Sequence, residues 1–318
     1  MAENNVLSDE NGVRLDRWLR RRYPAVTFAD ASKWARKGEI RVNGKRAKAS
    51  DRLTEGDVVR TPPQAEYYAV RERENVAVPM HAVRRAAESV MYEDDDIIVI
   101  NKPSGAAAQG GSGLDYGLDA VMRIYGENDA IAPAHRLDKD TTGILVFTKN
   151  PSAAARWGEA FATREAKKTY VALTAGRLPS PEGEIIGGLI KRRADGVEKI
   201  EACDERQEGA KRAHTAYEVT ESFGARSSLV RLFPLTGRTH QLRVHMAEMG
   251  CPIIGDYKYG YRAEFRPYPD ARHMFLHARQ LEHAGKTFEA PLPKAFADAV
   301  TLLRGGGMQE VSSVKKVV

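Results

Sequence analysis

Apolar positions near the start of the chain recur at helical spacing. From Val13 to Arg22 the residues Val13, Leu15, Trp18 and Leu19 mark one stripe, with Arg14, Arg17, Arg20 and Arg21 largely elsewhere, which predicts an amphipathic helix. A second short helix is predicted over 29–36, stopped by Gly38. Ile40-Arg41-Val42 followed by Asn43-Gly44 predicts a hairpin, because its primed turn needs positive φ at both central positions. Residues 51–59 close the unit through a turn at Glu55-Gly56-Asp57. Two helices and a hairpin thus define a compact module over 13–62. Residues 1–12 are polar and patternless and are expected to be a flexible lead-in. Pro62-Pro63 cannot continue a central strand, and 63–88, mixed in charge and without period, is read as a linker.

Beyond it the period shortens. The uninterrupted run Ile97-Ile98-Val99-Ile100 predicts a buried strand leading into Asn101-Lys102-Pro103-Ser104-Gly105. Further strands are predicted over 143–148, 169–174, 213–220 and 228–232, and helices over 153–164 and 241–249. In the last helix Leu242, His245 or Met246, and Met249 share a face opposite His240, Arg243, Val244 and Ala247, and Gly250 and Pro252 terminate it. Strands with few helices and no regular βαβ alternation imply an α+β domain over 89–304, built on a mixed, mostly antiparallel sheet flanked by helices. A Gly-rich, polar tail is expected over 305–318.

Composition narrows the class. With 42% hydrophobic and 29% charged residues, wholesale disorder is excluded. No apolar run approaches the ~20 residues of a transmembrane helix, and the N-terminus has no signal-peptide architecture. Two cysteines exclude a disulfide framework and a Cys-rich zinc site and fit a reducing cytoplasm. The net charge of +6 is local: 14 Lys or Arg stand against 6 Asp or Glu between Arg14 and Arg60. Such a concentration marks an anion-binding surface, as for nucleic acid, or a solvated helix face. Its candidate contacts are Arg14, Arg17, Arg20, Arg21, Lys33, Arg36, Lys37, Arg41, Lys45 and Arg46.

Two segments concentrate chemistry. His135-Arg136-Leu137-Asp138-Lys139-Asp140-Thr141-Thr142-Gly143 forms a charged loop before a strand, a favoured place for function. Asp138 lies between Arg136 and Lys139, and opposite charge favours the ionised carboxylate, suited to act as a nucleophile or electrostatic stabiliser. The alternative is a polar turn with a capping residue. In Thr236-Gly237-Arg238-Thr239-His240-Gln241-Leu242-Arg243-Val244-His245, the Arg243 guanidinium is placed to pair with a buried carboxylate or hold a phosphate. Of His240, His245, His273 and His277, the last two are four apart, but nothing near them supplies Cys ligands or an HExxH arrangement, and all are read as hydrogen-bonded histidines. Gly110-Gly111-Ser112-Gly113 lacks the residues of a phosphate loop or dinucleotide fingerprint and is read as a flexible, substrate-facing loop.

HRLDKDTTG resembles the HRLDxxTSG signature of the RluA-type pseudouridine synthases, with Thr142 in place of serine. NKPSGAAAQGGSG (101–113), KKTYVALTAG (167–176), LTGRTHQLRVHMAEMGCPIIGDYKYG (235–260) and FLHA (275–278) follow the family's order. The first of these is most like the RluC branch, which acts on large-subunit ribosomal RNA, with Gln109 where that branch commonly has histidine. Residues 13–60 are similar to the small alpha-L, S-four-type RNA-binding module. The resemblance implies an RNA-modifying isomerase with no cofactor and no metal. Asp138 matches its catalytic aspartate, Tyr170 the tyrosine against the target base, and Arg243 the arginine paired with the carboxylate. Arg136 matches the arginine entering the RNA stack as the target base leaves it. The implied partner is RNA, and the protein is expected to be a cytoplasmic monomer. Two other classes are weighed: a non-catalytic RNA-binding or ribosome-assembly factor, which residues 13–60 alone permit, and an RNA methyltransferase, whose glycine-rich donor loop is missing.

Overall fold

The computed structural model describes residues 2–23, 25–70, 78–110, 116–194, 197–261 and 273–305. The loop beyond Gly110 and the tail from 306 therefore lie outside the described residues. The chain divides into two compact units, Met1–Ala77 and Val78–Val318. No helix among the described residues is long and apolar enough to cross a membrane.

The first unit comprises β1 (Ala2–Asn5), α1 (Leu15–Arg22), α2 (Phe28–Lys37), β2 (Arg41–Val42), β3 (Lys45–Arg46), β4 (Val58–Thr61) and α3 (Gln64–Val70), with sheet order β1-β4-β2-β3. The α1 stripe and α2 bury Leu15, Trp18, Leu19, Ala31 and Trp34 against Ile40, Leu53 and Val59. Thr27 caps α2 and Gly38 ends it at φ 71°. Asn43 and Gly44 take positive φ in the hairpin turn, as the sequence predicts. The expected lead-in instead contains β1, antiparallel to β4. A short edge strand carries too few residues to show a period, yet Val6 is buried and the Glu10 carboxylate accepts the Trp18 indole N–H at 2.8 Å. The expected linker likewise contains α3, whose Ala65 is buried and whose Tyr68 ring meets Trp34 edge-on.

The second unit begins at Val78, ahead of the expected 89, because the helix α4 (Met80–Glu88) buries Val83 and Ala86 in its core. It continues through β5 (Val90–Glu93), β6 (Ile97–Lys102), α5 (Leu118–Tyr125), β7 (Ala132–Pro133), β8 (Thr142–Thr148), α6 (Pro151–Thr163), β9 (Lys167–Ala175) and β10 (Glu182–Ala194). There follow β11 (Val197–Cys203), β12 (Lys211–Phe223), β13 (Ser227–Pro234), α7 (Gln241–Glu248), β14 (Leu276–His283), β15 (Lys286–Glu289) and α8 (Lys294–Arg304). The sheet runs β11-β10-β12-β13-β9-β14-β8-β6-β5, with β15 on β14 and β7 on β8. Among the described residues only β14 and β8 pair in parallel. The fold is α+β on a mostly antiparallel sheet.

β6 and β8 are covered on two faces, which explains their continuous apolar runs. Ile98, Ile100, Leu145 and Phe147 enter a core under α4, α5 and α7, whereas Ile97, Val99, Ile144 and Val146 face Trp157 and Ala160 of α6. This is the two-residue alternation of a strand. Each such side chain, fully buried, contributes about 1.5–3 kcal/mol. On another part of the sheet α8 packs Phe296, Ala299 and Val300 against Leu173 and Phe275.

Gly143, the second residue of β8, sits at φ 105°, and a β-carbon there would collide with the backbone of Ala278 in β14. Gly143→Ala is expected to destabilise the chain by about 3 kcal/mol or more, through overpacking and a backbone conformation that L-residues avoid. A thermal melt of the variant checks this, with Tm lower by about 6 °C or more.

Candidate active site

The Asp138 loop connects β7 to β8 and is fixed from beneath. Lys102 ends β6 opposite Gly143 in the ladder. Its Nζ donates to the carbonyl oxygens of Pro103, Ala106 and Lys139 at 2.9, 2.8 and 2.8 Å. Gly105 N–H also donates to Lys139 O at 3.0 Å. The loop after β6 and the Asp138 loop are thus held as one block. Burial pulls Lys102 down to about 7, with Asp140 and Asp138 opposing; three carbonyl acceptors match the three protons of its ammonium form.

Arg243 reaches Asp138 from α7. Its Nη1 donates to Asp138 Oδ2 at 3.2 Å, while Nε and Nη2 grip Asp256 at 2.7 and 2.8 Å in a bidentate pair. The side chains of Arg243, Asp256 and Asp138 are 8%, 1% and 19% exposed. Burial opposes the guanidinium charge, but the bonds and charge of Asp256, reinforced by Asp138, hold Arg243 above its ordinary value. The helix carrying it is not amphipathic as expected: Gln241 through Met246 are all buried. The face opposite Leu242 packs Val244 with Leu189 and Tyr259. Gln241 ties the preceding loop to the sheet, accepting from Thr236 Oγ1 and Arg238 N and donating to His214 O and Thr215 Oγ1. His240 closes the cluster, with Nε2 3.9 Å from Asp138 Oδ2 and Nδ1 2.7 Å from the Tyr259 hydroxyl.

Tyr170 on β9 is 9% exposed, between β13 and β14. Burial and the Asp138 charge push its hydroxyl above the usual phenol value. Two adjoining cavities, of about 770 and 960 Å³, share Arg136, Leu137, Asp138, His240 and Arg243. The second also takes in Tyr170, Phe161, Lys168 and Phe233. Arg136 is exposed at this cleft. Asp138, Tyr170, Arg243 and Arg136 thus converge on one cleft. Sequence reasoning missed Lys102, Asp256 and Tyr259, although Lys102 carries a signal: a cation closing the strand that begins with the apolar run IIVI.

His245 and His277 are buried and hydrogen-bonded. His245 Nδ1 lies 2.9 Å from Thr215 Oγ1; His277 Nδ1 lies 2.8 Å from Thr142 Oγ1 and its Nε2 3.2 Å from Ala290 O. The FLHA segment therefore locks β14 to the start of β8. Burial is the main cause holding both histidines down at about 4. Between about pH 6.5 and 4 the unfolded chain takes up protons that the folded chain refuses, so stability falls as the pH drops. The expected loss is of order 2 kcal/mol per histidine by pH 5. Thermal melts from pH 7 to 4.5 measure it, and His277→Asn is expected to flatten the slope.

In the first unit, Arg17, Arg20, Arg21, Lys33, Arg36, Lys37, Lys45 and Arg46 are exposed, and Arg41 is half-buried. Arg14 pairs with Asp16 at 3.0 Å, Lys37 with Glu39 at 3.7 Å, and Arg41 donates to Gly44 O at 3.0 Å. Arg36 donates to Ser32 O at 3.3 Å. Arg22 is built into the module, lying over the Trp18 ring and donating to Asn5 O.

A carboxylate held by a doubly anchored arginine, beside a buried tyrosine in an open cleft and preceded by a basic module, is the constellation of an RNA pseudouridine synthase. The RNA pseudouridylate synthase profile matches residues 96–248, and that of the S4 domain matches 13–59. The chain is 37% identical over 310 residues to the ribosomal large subunit pseudouridine synthase C of Escherichia coli K12, spanning 94% of this chain and 95% of that protein. It is 36% identical to the enzyme of that name from Rickettsia bellii, spanning 89% and 95%. Among solved structures, human RNA pseudouridylate synthase domain containing 4 superposes with a TM-score of 0.60 at 29% identity, covering 70% of this chain and 95% of that one. This chain belongs to the RNA pseudouridylate synthase family; it is an enzyme, an RNA-binding pseudouridine synthase.

Proposed function

We propose that the chain converts specific uridines of large-subunit ribosomal RNA to pseudouridine, in the cytoplasm, as a monomer. The names of the relatives that align along nearly its whole length support this substrate. The observation that carries the reading is the Asp138–Arg243–Asp256 chain of charge at the floor of the cleft. In this reading a uridine leaves its stack and enters the cleft, since ring chemistry requires an extruded base. Asp138 is the reacting carboxylate, Tyr170 lies against the base, and Arg136 fills the vacated stack. The bond from ribose C1′ to N1 breaks, the uracil turns, and a bond from C1′ to C5 forms. The hydrogen of C5 leaves to water as a proton, and N1 takes up a proton from water. Atoms and electrons balance within the substrate, so the reaction calls for no redox partner.

The exposed cations of the first unit are assigned to the phosphate backbone, an affinity that weakens with salt. A purely RNA-binding role is not favoured, because a binder has no use for Asp138, Tyr170 and Arg243 as a set. The test is tritium release from 5-tritiated uridine in unmodified large-subunit ribosomal RNA. Release supports the reading; binding without release, on this RNA and on transfer RNA, refutes it.

A further inference from the structure

We propose that His240 is a positioning residue for Asp138, fixed in one tautomer by Tyr259, which joins Arg243 in holding carboxylate oxygen Oδ2 and leaves Oδ1 to face the substrate. This rests on the isomerase reading above.

Backbone geometry supplies the first argument. His240 sits at φ 53°, ψ 18°, the left-handed region, at the N-cap of α7. A residue with a β-carbon is disfavoured there, and such outliers concentrate where function holds them. The imidazole makes no capping hydrogen bond, so capping does not offset the strain. The ring is aimed instead at Asp138.

The hydrogen bonds then fix its protons. The Tyr259 hydroxyl oxygen already accepts Ile200 N–H at 3.1 Å. Its own proton is thus available to His240 Nδ1, 2.7 Å away. Neutral imidazole carries one N–H, which this places on Nε2, the atom facing Asp138 Oδ2 at 3.9 Å. Arg243 Nη1 addresses the same oxygen at 3.2 Å, and no described residue donates to Oδ1. The imidazole contact is long, and catalytic contacts tighten when substrate closes a site.

The surroundings favour a neutral ring. Burial lowers His240, Asp138 and Asp256 raise it, and Arg243 and Lys258 lower it, with a net downward shift. From β11, Lys199 lies over the Tyr259 ring at 5.5 Å. A neutral donor orients the carboxylate without cancelling the charge it reacts with, which a second cation would do.

The experiment uses the full chain and the tritium assay, comparing wild type with His240→Ala, His240→Gly, His240→Gln and Tyr259→Phe. His240→Gly suits the left-handed backbone, so its fold is secure. The expected result is kcat lower by about 10- to 100-fold for the Ala and Gly variants, with KM and RNA affinity within twofold of wild type. The Gln variant restores an N–H donor that does not titrate. It is expected to recover part of kcat and to move the acid limb of the pH profile to lower pH. In nitrogen-labelled histidine NMR of the free protein, His240 is expected as the Nε2–H tautomer, and Tyr259→Phe is expected to lose it. The proposal is overturned if the Ala and Gly variants keep kcat within threefold, if the loss falls on KM, or if His240 carries its proton on Nδ1. A wild type that releases no tritium refutes the isomerase reading instead, and the tautomer measurement then judges the geometry separately.

Discussion

Asp138→Asn is expected to release no measurable tritium while binding its RNA within a few-fold of wild type. The substitution preserves volume, so the cleft keeps its shape. Arg243 retains both bonds to Asp256, and its Nη1 retains an amide oxygen to address, so the buried guanidinium is not stranded. What disappears is the anionic oxygen to which the proposed function assigns the reaction with the nucleoside. Removing a reacting group of this kind typically costs about 10⁴-fold or more. Binding has other sources: the exposed cations of the first unit and the open cleft. Tritium release read beside a filter-binding titration separates the two effects. Residual activity above about 1% of wild type would remove Asp138 from the role assigned here.

Arg243→Lys is expected to lower kcat by about 100-fold, roughly 2.7 kcal/mol of barrier, although charge is conserved. A guanidinium presents several donors in a rigid plane, and Arg243 uses them on two carboxylates at once: two on Asp256, one on Asp138. An ammonium is a point charge on a flexible stem and cannot reproduce both grips. It will settle on the fully buried Asp256, leaving Asp138 without its partner. The complementary change, Asp256→Ala, removes the anchor of a buried cation, a loss of about 3–5 kcal/mol of stability. Comparing kcat with Tm for the two variants distinguishes misdirected chemistry from a weakened fold.

The sequence disclosed the parts of the fold that are governed by a single period. β6 and β8 are buried on both faces, so their apolar runs are unbroken and easily read. The Asn43-Gly44 turn and Gly38 declare themselves because positive φ restricts which residues serve. The hairpin β10–β11 went unread, since glycines at 183, 187 and 188 and the run Lys191-Arg192-Arg193 dilute any alternation on an exposed sheet edge. The short strand β1 and the helices α3 and α4 were hidden likewise: among the described residues β1 buries no side chain, α3 buries one and α4 buries two. Of the site, the loop charges and the ordered motifs marked Asp138, Tyr170, Arg243 and Arg136. Asp256, Tyr259 and Lys102 draw their importance from partners distant in the chain, which spacing does not report. The buried Gln241, Arg243 and Val244 broke the amphipathic reading of α7, because hydrogen bonds to Thr215 and Asp256 make Gln241 and Arg243 tolerable in a core.

The position of β14 sets the order of assembly during synthesis. It hydrogen-bonds to β9 on one side and β8 on the other, joining the half of the sheet that carries Tyr170 to the half that opens on the Asp138 loop. The lock from Thr142 to His277 spans 135 residues. At about 5–20 residues per second of translation, the second partner follows the first by roughly 7–27 s. Until then the nascent chain lacks the strand that mates the Asp138 half of the sheet with the Tyr170 half. The first unit, complete by residue 77, leaves the ribosome long before. Synthesis of the first unit therefore precedes assembly of the cleft in the life of each molecule, and the cleft is complete only once β14 has joined the two halves of the sheet.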